Sequence, residues 1–155
     1  MKKLILIRGL PGSGKTTRAY DICRILPTNN ITVFEADQFF EGQHGYSWDR
    51  NFLSVAHNWC HDCTIKSLRD DNIAIVSNTF TRERELHKYF DLVKLFPDLV
   101  IEIIEMHTQY GSIHNIPVDT LTRMASDWET LTDLPPNVSI TYVRPSTDQT
   151  ITQVP

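Results

Sequence analysis

Leu4-Ile5-Leu6-Ile7-Arg8-Gly9-Leu10-Pro11-Gly12-Ser13-Gly14-Lys15-Thr16-Thr17 stands near the start of the chain and decides its fold. Leu4–Ile7 is a short apolar run that reads as a strand. Gly9–Thr16 fits the G-x-x-x-x-G-K-[ST] pattern in full, and Thr16–Ile25 reads as a helix that Pro27 stops. Glycines at 9, 12 and 14 let the backbone curl until successive N–H groups converge on phosphate oxygens. The start of the following helix adds partial positive charge. Lys15 is placed to reach the β- and γ-phosphates and the Thr16 hydroxyl to ligate Mg²⁺. The expected ligands are therefore ATP and Mg²⁺, held by Gly9, Gly12, Ser13, Gly14, Lys15, Thr16 and Thr17, with Thr16 on the metal. The motif names the nucleotide and leaves the reaction open.

Outward from this loop, apolar strand-like runs alternate with helical periods. Ile31–Glu35 is a second strand, with Asp37 just past its carboxyl end. Gln38–Asp49 reads as a mobile or ligand-facing connection. Phe52–Arg69 is the longest helical candidate, with Phe52, Val55, Ala56, Trp59, Cys60, Cys63 and Leu68 near a helical period. Ile73–Val76 is a third strand, ending at Ser77-Asn78-Thr79. Arg82–Phe96 is a helix with Leu86, Tyr89, Phe90, Val93 and Phe96 on its inner face. Leu99–Met106 is a fourth strand, Gln109–Asn115 a loop, and Val118–Leu131 a helix opened by Pro117. Val138–Val143 follows Pro135-Pro136 as a fifth strand, and the last residues read as a polar, frayed end. This alternation predicts an α/β fold in three layers, a parallel sheet of about five strands in one domain spanning 1–155.

Composition narrows the function classes. The chain has 155 residues and 17.9 kDa, with 15 Lys and Arg against 19 Asp and Glu, a net charge of −4. Nothing in that balance supports a broad duplex-binding track. No apolar run approaches the roughly 20 residues of a membrane span. The apolar run Leu4–Ile7 is too short for a signal peptide. Three cysteines, an odd number, argue for a reducing compartment, so a cytoplasmic location is expected.

The reaction turns on acids at strand ends. The third strand ends in neutral Ser77 and Asn78, where a motor-type ATPase carries a carboxylate for Mg²⁺. Asp37 is the acid nearest a strand end, at the carboxyl edge where such sheets bind ligands. It can take the proton of an attacking hydroxyl or orient it in line with the γ-phosphoryl group. Its alternative role is a helix cap before Gln38-Phe39-Phe40. Glu35 competes for the metal, or is a rim residue.

With these residues the chain resembles the AAA-type P-loop kinases related to the kinase domain of phage polynucleotide 5′-kinase, and more distantly zeta-toxin and chloramphenicol-phosphotransferase kinases. The matching pieces are GLPGSGKTT, Glu35-Ala36-Asp37-Gln38-Phe39-Phe40, Ala56-His57-Asn58-Trp59 and Val76-Ser77-Asn78-Thr79. Ile113-His114-Asn115-Ile116-Pro117, Leu121-Thr122-Arg123-Met124 and Trp128-Glu129 match the lid and the helix after it. The resemblance spans residues 3 to about 130 and implies strand order 2-3-1-4-5. It implies transfer of the ATP γ-phosphoryl group to a hydroxyl, with the 5′-hydroxyl of a polynucleotide or nucleoside as acceptor. It further implies Asp37 as general base and Asn78 and Thr79 beside the acceptor, with Lys15 as a catalytic cation and Arg123, where the family keeps an arginine, as a candidate second one. It leaves room for the kinase core alone, without a phosphatase or ligase partner domain.

The chain departs from that family in its lid, where Gly111 stands at the expected arginine. Arg123, Arg82, Arg84 and a protonated His114 are candidate substitutes for a group that stabilises charge on the transferred phosphoryl. Basic residues expected soon after the base are also replaced, by Phe39, Phe40 and Glu41. Phe39, Tyr46 and Trp48 can stack on a nucleobase or pack the long helix, and the sparse cations favour a nucleoside, a small acceptor or a single-stranded end. His57, Cys60, His61 and Cys63 imitate a metal set, but no second cluster completes it. Cys23 reads as core filler, and Tyr20 and Trp59 as core or rim. Two alternatives stay open: a small-molecule kinase, and a nucleotide-binding regulatory or interaction module with little turnover.

Overall fold

The computed structural model describes residues 2–42, 45–111 and 116–145. Five strands form one sheet: β1 (Lys3–Arg8), β2 (Ile31–Phe34), β3 (Ile73–Asn78), β4 (Val100–Met106) and β5 (Val138–Val143). Their order is β2-β3-β1-β4-β5, and all neighbours run parallel. This is the expected kinase order 2-3-1-4-5. Among the described residues four α-helices accompany them: α1 (Lys15–Ile25), α2 (Leu53–Arg69), α3 (Arg84–Phe90) and α4 (Val118–Asp127).

β1 is central because both its neighbours cover it, with Leu4 opposite Ala74 on one side and Ile101 on the other. Its side chains alternate between two cores, as the strand period of two requires. Leu4 and Leu6 join Ala74, Val76, Ile101 and Ile103 against Ala56, Cys60 and Leu68 of α2 and Leu86, Tyr89 and Phe90 of α3. Ile5 and Ile7 join Ile75, Ile104 and Met106 on the other face, against Ala19 of α1. Cys23 packs at the edge of this smaller core, while Tyr20 is exposed. Trp59 packs against the larger core.

Three expectations are corrected. In α2 the buried stripe is Ala56, Cys60, Thr64, Ser67 and Leu68, while Phe52 and Val55 are exposed. Helical geometry runs the stripe through the polar Thr64, whose hydroxyl is satisfied by donating to the Cys60 carbonyl at 2.8 Å. The helix expected over 82–96 is shorter, because α3 gives way to a 3₁₀ turn at Asp91–Lys94. The helix expected to reach Leu131 ends at Asp127, where Trp128 turns extended (φ −61°, ψ 123°) and lays its ring on Arg8. The connection after β2 also holds structure, a 3₁₀ helix (Ala36–Phe40) and a hairpin pairing Glu41–Gly42 with Gly45–Tyr46.

Candidate nucleotide and acceptor site

The loop between β1 and α1 rises from the middle of the sheet. Gly14 caps α1 in the left-handed region at φ 91°, and Gly12 lies at φ 84°. Neighbouring segments pin the curl: Gly9 N–H donates to Thr79 O (3.2 Å), Tyr110 N–H to Gly12 O (2.7 Å), and Thr108 Oγ1 to Ser13 O (2.6 Å). A Cβ on Gly12 would stand 2.3 Å from Gln109 Oε1 and 2.7 Å from Gly111 O. Gly12→Ala is therefore expected to weaken ATP binding at least tenfold while the thermal midpoint stays within a few degrees, a contrast that titration calorimetry and calorimetric scanning read directly.

Lys15 is half-buried and donates from Nζ to Leu10 O at 3.1 Å. Burial lowers its pKa to about 8, against a smaller opposing pull from Glu35. The Thr16 hydroxyl donates to Glu35 Oε2 at 2.8 Å, across from the end of β2. Burial raises the Glu35 pKa, and the Thr16 bond and Lys15 oppose that shift. Thr16 and Glu35 thus form a pair of hard oxygen donors at the mouth of the loop, a chemistry that fits Mg²⁺. Thr17 is exposed in the first turn of α1.

Asp37 lies in the 3₁₀ helix after β2, exposed, and Tyr46 Oη donates to its Oδ1 at 2.5 Å. Burial and this bond to Asp37 raise the Tyr46 pKa, so the phenol keeps its proton. The hairpin carrying Tyr46 rests on Phe40, with ring centroids 6.3 Å apart, and Trp48 lies at 6.4 Å. Tyr46 and Trp48 stay about half exposed, whereas Phe39 packs edge-on to Phe40 and Trp59. Of the three aromatic candidates, Tyr46 and Trp48 face solvent, Tyr46 on Asp37, and Phe39 packs against the core.

Asn78 is buried at the end of β3. Its Oδ1 accepts from Ala36 N at 2.9 Å, and its Nδ2 lies 3.8 Å from Cys60 Sγ. It therefore fixes the backbone immediately before Asp37. Thr79 is half-buried, and its carbonyl holds Gly9. Cys60 is buried against Asn78, and the His61 ring meets Lys88 O at 3.0 Å. Arg82 pairs with Asp127 at 3.1 Å, Arg84 is exposed, and Arg123 is exposed on α4. Gly111 is exposed at φ 84°. Ser112–Asn115, with His114, lie outside the described residues.

Sequence reading missed Arg8. It is the residue just before Gly9 and is fully buried. Its NH1 meets Glu105 Oε1 at 2.5 Å, Nε donates to Phe80 O (2.9 Å), and NH2 donates to Thr81 O (3.1 Å) and Glu129 O (3.0 Å). The Trp128 ring lies 3.8 Å from the guanidinium carbon. Glu105 also meets His107 Nε2 at 2.6 Å. Glu105→Ala strands a buried cation and is expected to cost about 3–5 kcal/mol of folding stability, read from denaturant unfolding.

Residues 4–109, most of the chain, match the AAA domain family. The chain is 27% identical over 142 residues to human NEDD4-binding protein 2, covering 85% of this chain and 8% of that relative. The structure of Chaetomium thermophilum Kti12 in complex with ADP-AlF3 superposes at TM-score 0.64 and 14% identity, over 95% of this chain and 93% of that one. A gluconokinase from Sinorhizobium meliloti gives TM-score 0.55 and 13% identity, with coverage of 95% and 86%. The Pnkp1/Rnl/Hen1 complex gives 0.50 and 22%, over 87% of this chain and 41% of that one. The chain thus spans a small part of NEDD4-binding protein 2 and under half of the matched chain in that complex. With the phosphate loop on a 2-3-1-4-5 sheet and this match over residues 4–109, the chain belongs to the AAA domain family and has the P-loop kinase fold.

Proposed function

We propose that this protein transfers the γ-phosphoryl group of ATP to a hydroxyl, with the 5′-hydroxyl of a polynucleotide or nucleoside as the first acceptor to try. One observation carries this reading. Asp37 stands two residues beyond Glu35, and Glu35 touches Thr16 of the phosphate loop, so base, metal ligands and phosphate cradle share one edge of the sheet. In this mechanism the loop N–H groups hold the phosphates, and Lys15 neutralises charge gathering on the β- and γ-oxygens. Thr16 and Glu35 would hold Mg²⁺, which would supply further charge neutralisation. Asp37 accepts the acceptor's proton as the oxygen attacks phosphorus. Asn78, bonded to the Ala36 amide, keeps Asp37 in place beside the acceptor. Arg123 is the candidate cation for the transferred group.

Gly111 favours a second reading, a nucleotide-binding module without turnover, because the related lids carry an arginine there. Radiolabelled γ-phosphate transfer to oligonucleotide ends, nucleosides and sugars separates the two. Label is expected on the oligonucleotide or nucleoside acceptors. ATP binding without label on any of them supports the module, and label on sugars alone supports a small-molecule kinase. Among the described residues no helix is long and apolar enough to cross a membrane.

A further inference from the structure

We infer that Arg8 is a positioning residue that couples the phosphate loop to the carboxyl end of α4, the helix that carries Arg123. Three segments meet on its guanidinium: the Phe80-Thr81 turn after β3, Glu105 of β4, and the Trp128 ring with the Glu129 carbonyl. Arg8 itself is joined by one peptide bond to the first residue of the loop. The same turn after β3 also holds Gly9, through Thr79 O.

α4 depends on this junction. None of its own residues is buried, although Leu121, Met124, Ala125 and Trp128 fall at helical spacing on one side. A cavity of about 310 Å³ separates Ala125 and Trp128 from Leu10, Ser13 and the 106–109 segment. Among the described residues, the side-chain bonds that tie this helix to the rest of the chain gather at its carboxyl end. Asp127 pairs with Arg82, Trp128 lies on Arg8, Glu129 N donates to Thr81 O (2.8 Å), and the Glu129 carboxylate accepts from Glu83 N (2.9 Å). A rigid hydrogen-bonded junction beside the loop is a physical route by which an occupied loop is felt at α4. A lysine in place of Arg8 keeps one charge, but it has neither the planar fork for four acceptors nor a face for Trp128.

The inference rests on the nucleotide-binding reading of the loop and is tested by hydrogen exchange with and without ADP, alongside ADP affinity. In the wild-type protein, ADP is expected to slow exchange of the 128–132 amides at least tenfold. In Arg8→Lys that protection is expected to vanish, while ADP affinity changes less than about fivefold and β3 amides exchange as in wild type. A purely structural strut predicts instead that β3 and 128–132 lose protection together, and this result overturns the inference. Persistence of ADP protection in Arg8→Lys overturns it as well, as does its absence from the wild type when ADP binds. Should Arg8→Lys fail to fold, Trp128→Leu removes the stacking arm of the junction, and the same loss of ADP protection at 129–132 is required of it. Failure of γ-phosphoryl transfer to every acceptor defeats the kinase proposal and leaves these measurements standing.

Discussion

Lys15→Met is expected to lower γ-phosphoryl transfer by at least about a hundredfold and to weaken ATP binding with it. The amine stands at the mouth of a loop whose other donors are backbone N–H groups and neutral hydroxyls, so no other side chain of the loop replaces its charge. The free protein holds this amine against Leu10 O in half-buried surroundings that lower its pKa to about 8. The cation is the form that binds phosphate, so ATP affinity should fall as pH rises through about 8. Phosphate contact favours the charged form, so binding near pH 8 should take up protons. Calorimetry in buffers of different ionisation enthalpy measures this uptake, and Lys15→Met should abolish it. The linked stability effect has the opposite sense. With the folded-state value below the ordinary lysine value of 10.5, the unfolded chain binds more protons between the two, and nucleotide-free stability gains from Lys15 as pH rises through that window.

Asp37→Asn is expected to reduce transfer by roughly 10²–10⁴-fold with ATP affinity within a few fold. The amide cannot take the acceptor's proton. It still offers an oxygen to the Tyr46 phenol, which donates to Asp37 at 2.5 Å, so the hairpin keeps its anchor. The substitution thus separates proton acceptance from architecture. Transfer near the wild-type rate would remove Asp37 from the base role, and a large loss of ATP affinity would place it on the donor side. Titrating acceptor and ATP separately distinguishes these outcomes.

The parts of this molecule written in local sequence were legible. Leu4–Ile7, Gly9–Thr16 and the β-branched runs at 31, 73, 100 and 138 carry their own periodicity and turn chemistry, and they place every strand of the sheet. The place of Asp37 just past β2 was legible because it follows from a strand end, and its role as base is a proposal. What stayed hidden depends on partners distant in sequence. Arg8 reads as the polar end of an apolar strand until Glu105, 97 residues away, and the carbonyls of Phe80, Thr81 and Glu129 surround it. The bond that Asn78 accepts from the Ala36 amide was hidden because that amide lies past another strand's end. Thr64 and Ser67 gave no sign of burial, since their polarity conceals a place on the inner stripe of α2.

The hairpin that bears Tyr46 has a consequence for how this scaffold changes over evolutionary time. The donor loop is continuous with the central strand and pinned by Thr79, Thr108 and Tyr110, so its length and backbone path are held from several sides. The element beside Asp37 is a surface excursion of the chain between β2 and α2, held mainly by Phe40 and one phenol–carboxylate bond. Such an excursion can be lengthened, shortened or re-sequenced while the phosphate-handling half stays intact. A scaffold divided in this way can change acceptors by grafting one short segment, leaving its energy source untouched.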